Sequence, residues 1–125
     1  MDISNQLAYW IEGATSDLET AELLIKNKLL LHGLFFCHLT IEKVLKAWVV
    51  KTTLDLPPKT HNLLRLYEKT NLSLSDEDIK LIEILMIYQL EGRYPEYYPN
   101  LPQISFTDNI LSRTKILLQC LKEKL

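Results

Sequence analysis

Residues 32–51, HGLFFCHLTIEKVLKAWVVK, indicate the fold class of this chain. Their large side chains recur at intervals of three and four residues, which is the spacing of side chains along one stripe of an α-helix. That stripe comprises Phe35, Leu39, Glu42, Lys46 and Val49. The pattern predicts a helix that begins at about Leu30 or His32 and ends at about Lys51, and no part of the chain alternates as the strands of a hairpin would.

The two ends of the chain predict further amphipathic helices. The first begins at Ser4 and ends near Asn27-Lys28. Its apolar face comprises Leu7, Trp10, Ile11, Ala14, Leu18, Ala21 and Ile25. The last helix is capped by Ser105 or Thr107. Its apolar stripe comprises Ile110, Leu111, Thr114, Leu117, Leu118 and Leu121, so each of these helices is expected to bury one face.

Between these ends, prolines and capping residues divide the chain into two more helices. Pro57 and Pro58 cannot continue the second helix, and Thr60 is a candidate N-cap for a short third helix over residues 61–69. Ser75 precedes three acids, which is a favoured helix start, so a fourth helix should begin there. This fourth helix is apolar on several sides, which favours a central position in the bundle or contact with a second subunit.

Composition narrows the class of protein. The chain has 125 residues, of which 47% are hydrophobic, enough for one core. Its formal charge of −2 argues against a broad basic face for nucleic acid. It has two cysteines in apolar segments, no basic leader and no apolar run of about 20 residues, so we expect a soluble, cytoplasmic protein. Together with the periodicity, this predicts an all-α, up-and-down bundle of four long helices and one short helix, as a single domain over residues 1–125.

The first group of candidate site residues centres on the second helix. Glu42 and Lys46 stand four residues apart, where a surface ion pair contributes only about 0.2–0.5 kcal/mol, and we expect them on the solvated face. His61 lies beside the predicted start of the third helix, whose dipole disfavours a charged imidazole. A neutral His61 would suit acid-base chemistry or a phosphate contact, or would serve only as a structural hydrogen-bonding group. His38, one turn before Glu42, has the same two interpretations.

The second group is the string Arg93-Tyr94-Pro95 with Tyr97 and Tyr98. A guanidinium offers a planar fork for phosphate, and tyrosine rings offer stacking surface for bases, a combination that suits a nucleotide or a single RNA strand. The alternative is an ordered, tyrosine-rich loop packed against the bundle, in which Arg93 contacts a helix C-terminus or an acid. The chain contains no glycine-rich phosphate loop and no Cys or His pair at metal-ligand spacing, so neither a metal nor another cofactor is expected.

Taken in order, these strings resemble the HEPN family, the higher-eukaryote and prokaryote nucleotide-binding domain. The matching strings are Trp10 with Ala14 and Asp17-Leu18, Phe36-Cys37-His38, Glu42-Lys43-Val44-Leu45-Lys46-Ala47, Thr60-His61-Asn62-Leu63 and Arg93-Tyr94-Pro95. The resemblance spans nearly the whole chain and implies a helical bundle that pairs into a homodimer with a cleft near the symmetry axis. It also implies that Lys46, His61 and Arg93 occupy the family's recurrent polar positions.

Two branches of this family imply different activities. Many HEPN proteins are metal-independent ribonucleases with an arginine and a following histidine that are separated by four to six residues. After Arg93 the corresponding positions hold Tyr98, Pro99 and Asn100, and neither of the other arginines has a histidine at that spacing, so the nuclease assignment does not carry over. In a second branch, a separate minimal nucleotidyltransferase can modify a tyrosine near the arginine motif. The candidates for such modification here are Tyr94, Tyr97 and Tyr98.

The resemblance therefore implies one main hypothesis and two alternatives. The main hypothesis is a homodimer that binds nucleotide or RNA as the partner of a nucleotidyltransferase in a toxin-antitoxin-like pair. Arg93 would contact phosphate, His61 and Lys46 would complete a polar cleft with Glu42 and His38, and Tyr94 would stack on or brace Arg93. One alternative is a divergent metal-independent ribonuclease in which His61 replaces the motif histidine. The other is a module that only dimerises and holds a partner protein.

Overall fold

The structure is a computed structural model that describes residues 1–125, and it contains five α-helices and no β-strand. The helices are α1 (Ile3–Lys26), α2 (Leu30–Thr53), α3 (Leu63–Glu68), α4 (Asp76–Ile87) and α5 (Ile104–Lys124). A 3-10 turn, Pro95–Tyr97, lies between α4 and α5. Four long helices and one short helix confirm the predicted all-α bundle. No helix combines the length and the apolar character needed to cross a membrane.

Side-chain caps determine where α1 and α4 begin. Ser75 Oγ accepts a hydrogen bond from the Asp78 amide at 3.1 Å, and three acids follow it in the first turn, so the predicted start of α4 is confirmed. At the other end of the chain, Asp2 Oδ1 accepts from the Asn5 amide at 3.1 Å. Because Asp2 supplies that cap, α1 begins one residue earlier than the expected Ser4.

The predicted start of α3 is wrong. The helix begins at Leu63, because Asn62 Oδ1 accepts from the Arg65 amide at 3.1 Å and acts as the N-cap. Thr60 Oγ1 instead accepts from the Asn62 amide at 3.2 Å, in a turn that precedes the helix. Asparagine is the stronger N-cap of the two residue types. His61 therefore lies in this turn, outside the helix, and the dipole argument made from the sequence does not apply to it.

The predicted caps of α5 are also wrong. The helix begins at Ile104, with Gln103 in an extended conformation at the N-cap position and no side-chain cap. Thr107 is fully buried, and its hydroxyl donates to the Gln103 carbonyl at 2.8 Å within the helix. Such a bond to the carbonyl four residues earlier is made by threonines inside helices rather than at their starts. Ser105 is exposed in the first turn.

α2 forms the centre of the bundle and contacts every other helix. Fifteen of its 24 residues are buried, so α2 is enclosed on most of its circumference. The expected central position of α4 is wrong, because only Leu81, Ile82 and Leu85 of that helix are buried and Ile87 is 52% exposed. Contact between α4 and a second subunit stays a prediction.

Two features bring the candidate residues toward α2. The α1 and α2 backbones approach closely at Gly33, where an added Cβ would lie 2.4 Å from Ile25 Cγ1. The segment between α4 and α5 is held by local turns: Gly92 has a φ of 81°, and the Arg93 amide donates to the carbonyl three residues earlier at 3.0 Å. The segment also includes the 3-10 turn Pro95–Tyr97, and Tyr98 packs edge-on against a histidine at the start of α2.

Candidate functional site

A row of buried polar residues on α2 forms the base of the candidate site. His38, Glu42 and Lys46 are four residues apart, so their side chains lie along one face of the helix. All three residues are buried. Because charged side chains are seldom buried without a partner, we expect each charge in this row to be paired. Trp10 of α1 lies near one end of this row, and the turn that carries His61 lies near the other.

Glu42 and Lys46 form a buried ion pair, so the expectation of a solvated surface pair was wrong. Lys46 Nζ lies 3.1 Å from Glu42 Oε2, and the two side chains are 9% and 4% exposed. The same ammonium lies 5.2 Å from the centre of the Trp10 ring, within range of a cation–π contact. α1 and the turn before α3 cover this face of α2, which helical spacing alone does not reveal. Because both charges are removed from water, each is stabilised by the other, and loss of one would leave the other buried without a partner.

Glu42 uses its other oxygen to orient His61. His61 Nδ1 donates to Glu42 Oε1 at 2.9 Å, while His38 Nε2 donates to the backbone carbonyl of His61 at 3.0 Å. Burial lowers the pKa of His38, although the Glu42 charge acts in the opposite direction. A neutral His38 with its proton on Nε2 fits this hydrogen bond. Two side chains of α2 thus fix both the backbone and the ring of His61.

Glu91, which sequence reasoning missed, faces the other nitrogen of the same imidazole. Glu91 Oε2 lies 3.2 Å from His61 Nε2. Gln89 holds the Glu91 backbone, since its side chain donates to the Glu91 carbonyl at 3.2 Å and accepts from the Glu91 amide at 2.9 Å. Glu42 and Glu91 thus face the two ring nitrogens of His61, the first through a hydrogen bond and the second at ion-pair distance. In the sequence, the only signal was an acid two residues before Arg93.

Arg93 presents an exposed guanidinium that takes part in none of the ion pairs of the chain. Its Nη1 donates to the Ile87 carbonyl at 3.4 Å, at the end of α4, so the alternative contact with a helix C-terminus is present but long. Arg93 lines a surface hollow of about 480 Å³, which we call the Arg93 hollow. Its other lining residues are His32, Phe35, Leu39, Leu90, Glu91, Gly92 and Tyr98.

The structure thus brings four of the predicted site residues, His38, Glu42, Lys46 and His61, into one hydrogen-bonded cluster. Arg93 lies in the neighbouring hollow, and Glu91 connects the two because it both contacts His61 and lines the hollow. That Arg93, His61 and Lys46 contact one ligand stays a prediction.

The three candidate tyrosines occupy different environments. Tyr94 and Tyr97 are 71% and 68% exposed. Arg93 makes no cation–π contact, so no such contact supports the predicted bracing of Arg93 by Tyr94. Tyr98 is half-buried, with its ring centre 6.2 Å from that of His32 in an edge-on arrangement. Tyr98 therefore belongs to the wall of the Arg93 hollow, whereas the other two rings are open to solvent.

The remaining surface offers no stronger site. The largest hollow, about 610 Å³, lies between α1 and α5 and contains none of the predicted site residues. Charges of both signs line it, from the side chains of Glu22, Lys26, Lys28, Asp108 and Lys115. No group of three or more His, Cys, Asp or Glu side chains is arranged to hold a metal ion.

Comparisons with known proteins agree with this fold. The crystal structure of TT1696 from Thermus thermophilus superposes with a TM-score of 0.81, over 97% of this chain and 99% of that chain, at 20% sequence identity. At this identity the likeness shows a shared fold. No curated protein matches the sequence. The family model of the HEPN domain matches residues 7–124, a range that includes every candidate site residue. This chain therefore belongs to the HEPN domain family.

Proposed function

We propose that this protein binds nucleotide or RNA at the Arg93 hollow, with Arg93 as the principal contact to phosphate. The observation that carries this proposal is the exposed guanidinium of Arg93, which adjoins an aromatic-lined hollow and has no carboxylate partner in its own chain. Membership of a family named for nucleotide binding supports the same proposal.

The chemistry of the hollow fits such a ligand. A guanidinium forms two parallel hydrogen bonds to phosphate, and the bond from Arg93 to Ile87 is too long to hold the guanidinium strongly. Phe35 and Tyr98 line the hollow and offer ring surface against which a base would stack. The chain carries a net charge of −2, so attraction for phosphate must come from this local site rather than from the whole surface.

The cluster on α2 supports the second phosphate contact, His61. Lys46 is buried against Trp10 and paired with Glu42, so its proposed role is to hold the Glu42 charge in place rather than to touch the ligand. Glu42 then orients the His61 ring, and His38 holds the His61 backbone. Under this proposal His61 is the member of the cluster that reaches the ligand, since its side chain is 42% exposed.

Arg93→Ala tests the proposal. We expect affinity for ATP, measured by calorimetry, and for a fluorescein-labelled oligoribonucleotide, measured by anisotropy, to fall by about tenfold or more, because a charge-assisted hydrogen bond contributes about 1.5–3 kcal/mol. Arg65→Ala is the matched control: Arg65 is also exposed and forms no ion pair, so its loss should change affinity by less than about twofold. Unchanged affinity in a folded Arg93→Ala variant would contradict the proposal.

The proposal extends to a nucleotidyltransferase partner in a toxin-antitoxin-like pair. Tyr94 and Tyr97 are accessible to a second enzyme, whereas Tyr98 is half-buried. Incubation with ATP and a minimal nucleotidyltransferase should transfer a nucleotidyl group from the α-phosphate of ATP to a tyrosine oxygen with release of pyrophosphate, and so raise the intact mass of the chain by one nucleotidyl group. Tyr94→Phe and Tyr97→Phe would identify the acceptor. An unchanged intact mass with an active transferase would argue against this partnership.

The homodimer that the resemblance implies is also proposed. Large apolar side chains remain exposed around the end of α4 and the start of α5, as expected of a surface that another molecule covers. They include Ile87, Leu101, Ile104 and Phe106. Analytical ultracentrifugation should give the mass of two chains. A monomer at all concentrations would remove the dimer from the proposal.

A divergent ribonuclease is the second candidate, and the contact between His61 and Glu42 is the observation that favours it. A carboxylate that fixes one nitrogen of an imidazole prepares the other nitrogen for proton transfer. RNA incubated with the protein and EDTA should then be cleaved, and His61→Ala should abolish cleavage. Intact RNA would dismiss this candidate, and intact RNA without ATP or RNA binding would favour the module that only dimerises and holds a partner protein.

A further inference from the structure

Glu91 is the only acid that lines the Arg93 hollow, and it is in contact with His61. A carboxylate at this position repels a phosphate that approaches the hollow. It also occupies His61 Nε2, at 3.2 Å, the one ring nitrogen that Glu42 leaves free. The acid therefore stands where a phosphate oxygen would bind this imidazole.

We propose that the Glu91 carboxylate occupies the phosphate subsite on His61 and that the phosphate of the ligand displaces it. This inference rests on the proposed function. Carboxylate and phosphate oxygens accept charge-assisted hydrogen bonds from imidazolium at similar distances, so one can replace the other. Of the two acids that contact His61, Glu91 is the one a ligand can displace, because its side chain is 60% exposed whereas the Glu42 side chain is 4% exposed.

The backbone around Glu91 allows this exchange. Gln89 holds the Glu91 backbone with two hydrogen bonds, and the turn continues through Gly92 to Arg93. The carboxylate can thus leave His61 by rotation about its side-chain bonds while the backbone stays in place. Its departure frees His61 Nε2 beside the hollow that Arg93 lines.

Competition with Glu91 also selects among phosphates. A ligand must replace a carboxylate of charge −1. Only molecules in which this carboxylate has left His61 can bind the phosphate there, so the apparent affinity is reduced in proportion to their fraction. A terminal phosphate carries a charge of about −1.5 to −2 near neutral pH, whereas the phosphodiesters inside an RNA strand carry −1 each. The subsite therefore favours a terminal phosphate, whether on a free nucleotide or on the 5′ end of RNA.

Glu91→Gln tests the inference, since it removes the charge and keeps the shape of the side chain. The probes are AMP, adenosine, and one oligoribonucleotide with and without a 5′ phosphate. Affinity is measured by NMR titration at about pH 6.5, following the backbone amide signals of Gly92 and Arg93, which line the hollow and which all of these variants retain. Glu96→Gln is the matched control, because Glu96 is an exposed acid in the same connection and forms no ion pair.

We expect Glu91→Gln to tighten AMP binding about three- to fivefold, the range in which loss of an exposed competing ion pair falls. Glu96→Gln should change it by less than about 1.5-fold. The gain should disappear in the Glu91→Gln/His61→Asn double variant, and adenosine should show no gain. The affinity for the 5′-phosphorylated oligonucleotide should rise more than the affinity for the same oligonucleotide with a 5′ hydroxyl. Comparison of this rise with that for AMP distinguishes the 5′ end of RNA from a free nucleotide as the source of the terminal phosphate.

Three results would overturn the inference: no tightening in Glu91→Gln, tightening that persists with His61→Asn, or an equal gain in Glu96→Gln. If Arg93→Ala weakens binding while Glu91→Gln leaves it unchanged, only the role of Glu91 fails. If neither the native protein nor Glu91→Gln binds any probe, the proposed function fails as well.

Discussion

Glu42→Gln is the sharpest test of the buried cluster, because it removes one charge while keeping the size of the side chain. The carboxylate accepts from Lys46 at 3.1 Å and from His61 at 2.9 Å. A glutamine oxygen can still accept one of these bonds. The Lys46 side chain, which is 9% exposed, would nevertheless remain as a buried cation without an anion.

The expected loss follows from these contacts. Removing one partner of a buried ion pair costs about 3–5 kcal/mol. The Trp10 ring, 5.2 Å from the ammonium, stays in place, and a cation–π contact contributes about 1 kcal/mol. We therefore expect the free energy of unfolding to fall by about 3 kcal/mol, toward the lower end of that range. For a chain of this length, such a loss lowers Tm by roughly 10 °C.

Urea denaturation followed by circular dichroism measures this loss. Glu22→Gln is the matched control, since Glu22 pairs with Lys115 at 3.5 Å in an exposed ion pair and its loss should cost less than about 1 kcal/mol. The Glu42→Gln/Lys46→Met double variant should recover most of the stability, because no buried charge is then left unpaired. A Glu42→Gln variant within about 1 kcal/mol of the native protein, or a double variant no better than the single one, would refute the reasoning.

Two further predictions concern the support of the site. Gly33→Ala should lower the free energy of unfolding by about 1–3 kcal/mol in urea denaturation, because the new Cβ would lie 2.4 Å from Ile25 Cγ1. Gly13→Ala is the control, since its new Cβ meets the flexible Lys43 side chain at 3.0 Å, and an equal loss of stability there would contradict the packing argument. Burial lowers the pKa of His38, so the unfolded chain takes up a proton that the native ring resists. Stability should therefore fall as pH decreases below about 6.5, and an equally steep fall in His38→Gln would show that another group is responsible.

The fold class was predictable from sequence because its signals are local. Apolar spacing along the chain identified every long helix, and Ser75 with its three acids gave the correct start of α4. The start of α3 was wrong because neighbouring residues compete as caps, and Asn62, in an extended conformation, caps the helix in place of Thr60. The start of α5 was wrong because no side chain caps that helix. Of the two interpretations of the apolar α4, the central position was wrong, since an apolar sequence alone does not show which helix the others surround.

The sequence by itself determined the residue types of the site and placed His38, Glu42 and Lys46 on one face of a helix, because helical spacing relates near neighbours. Only the tertiary structure decided that this face is buried and that the turn before α3 delivers His61 to it. Only the tertiary structure brought Glu91 to that imidazole. Such contacts join residues far apart in the chain, and they form where packing of the whole bundle excludes water, which no local pattern records.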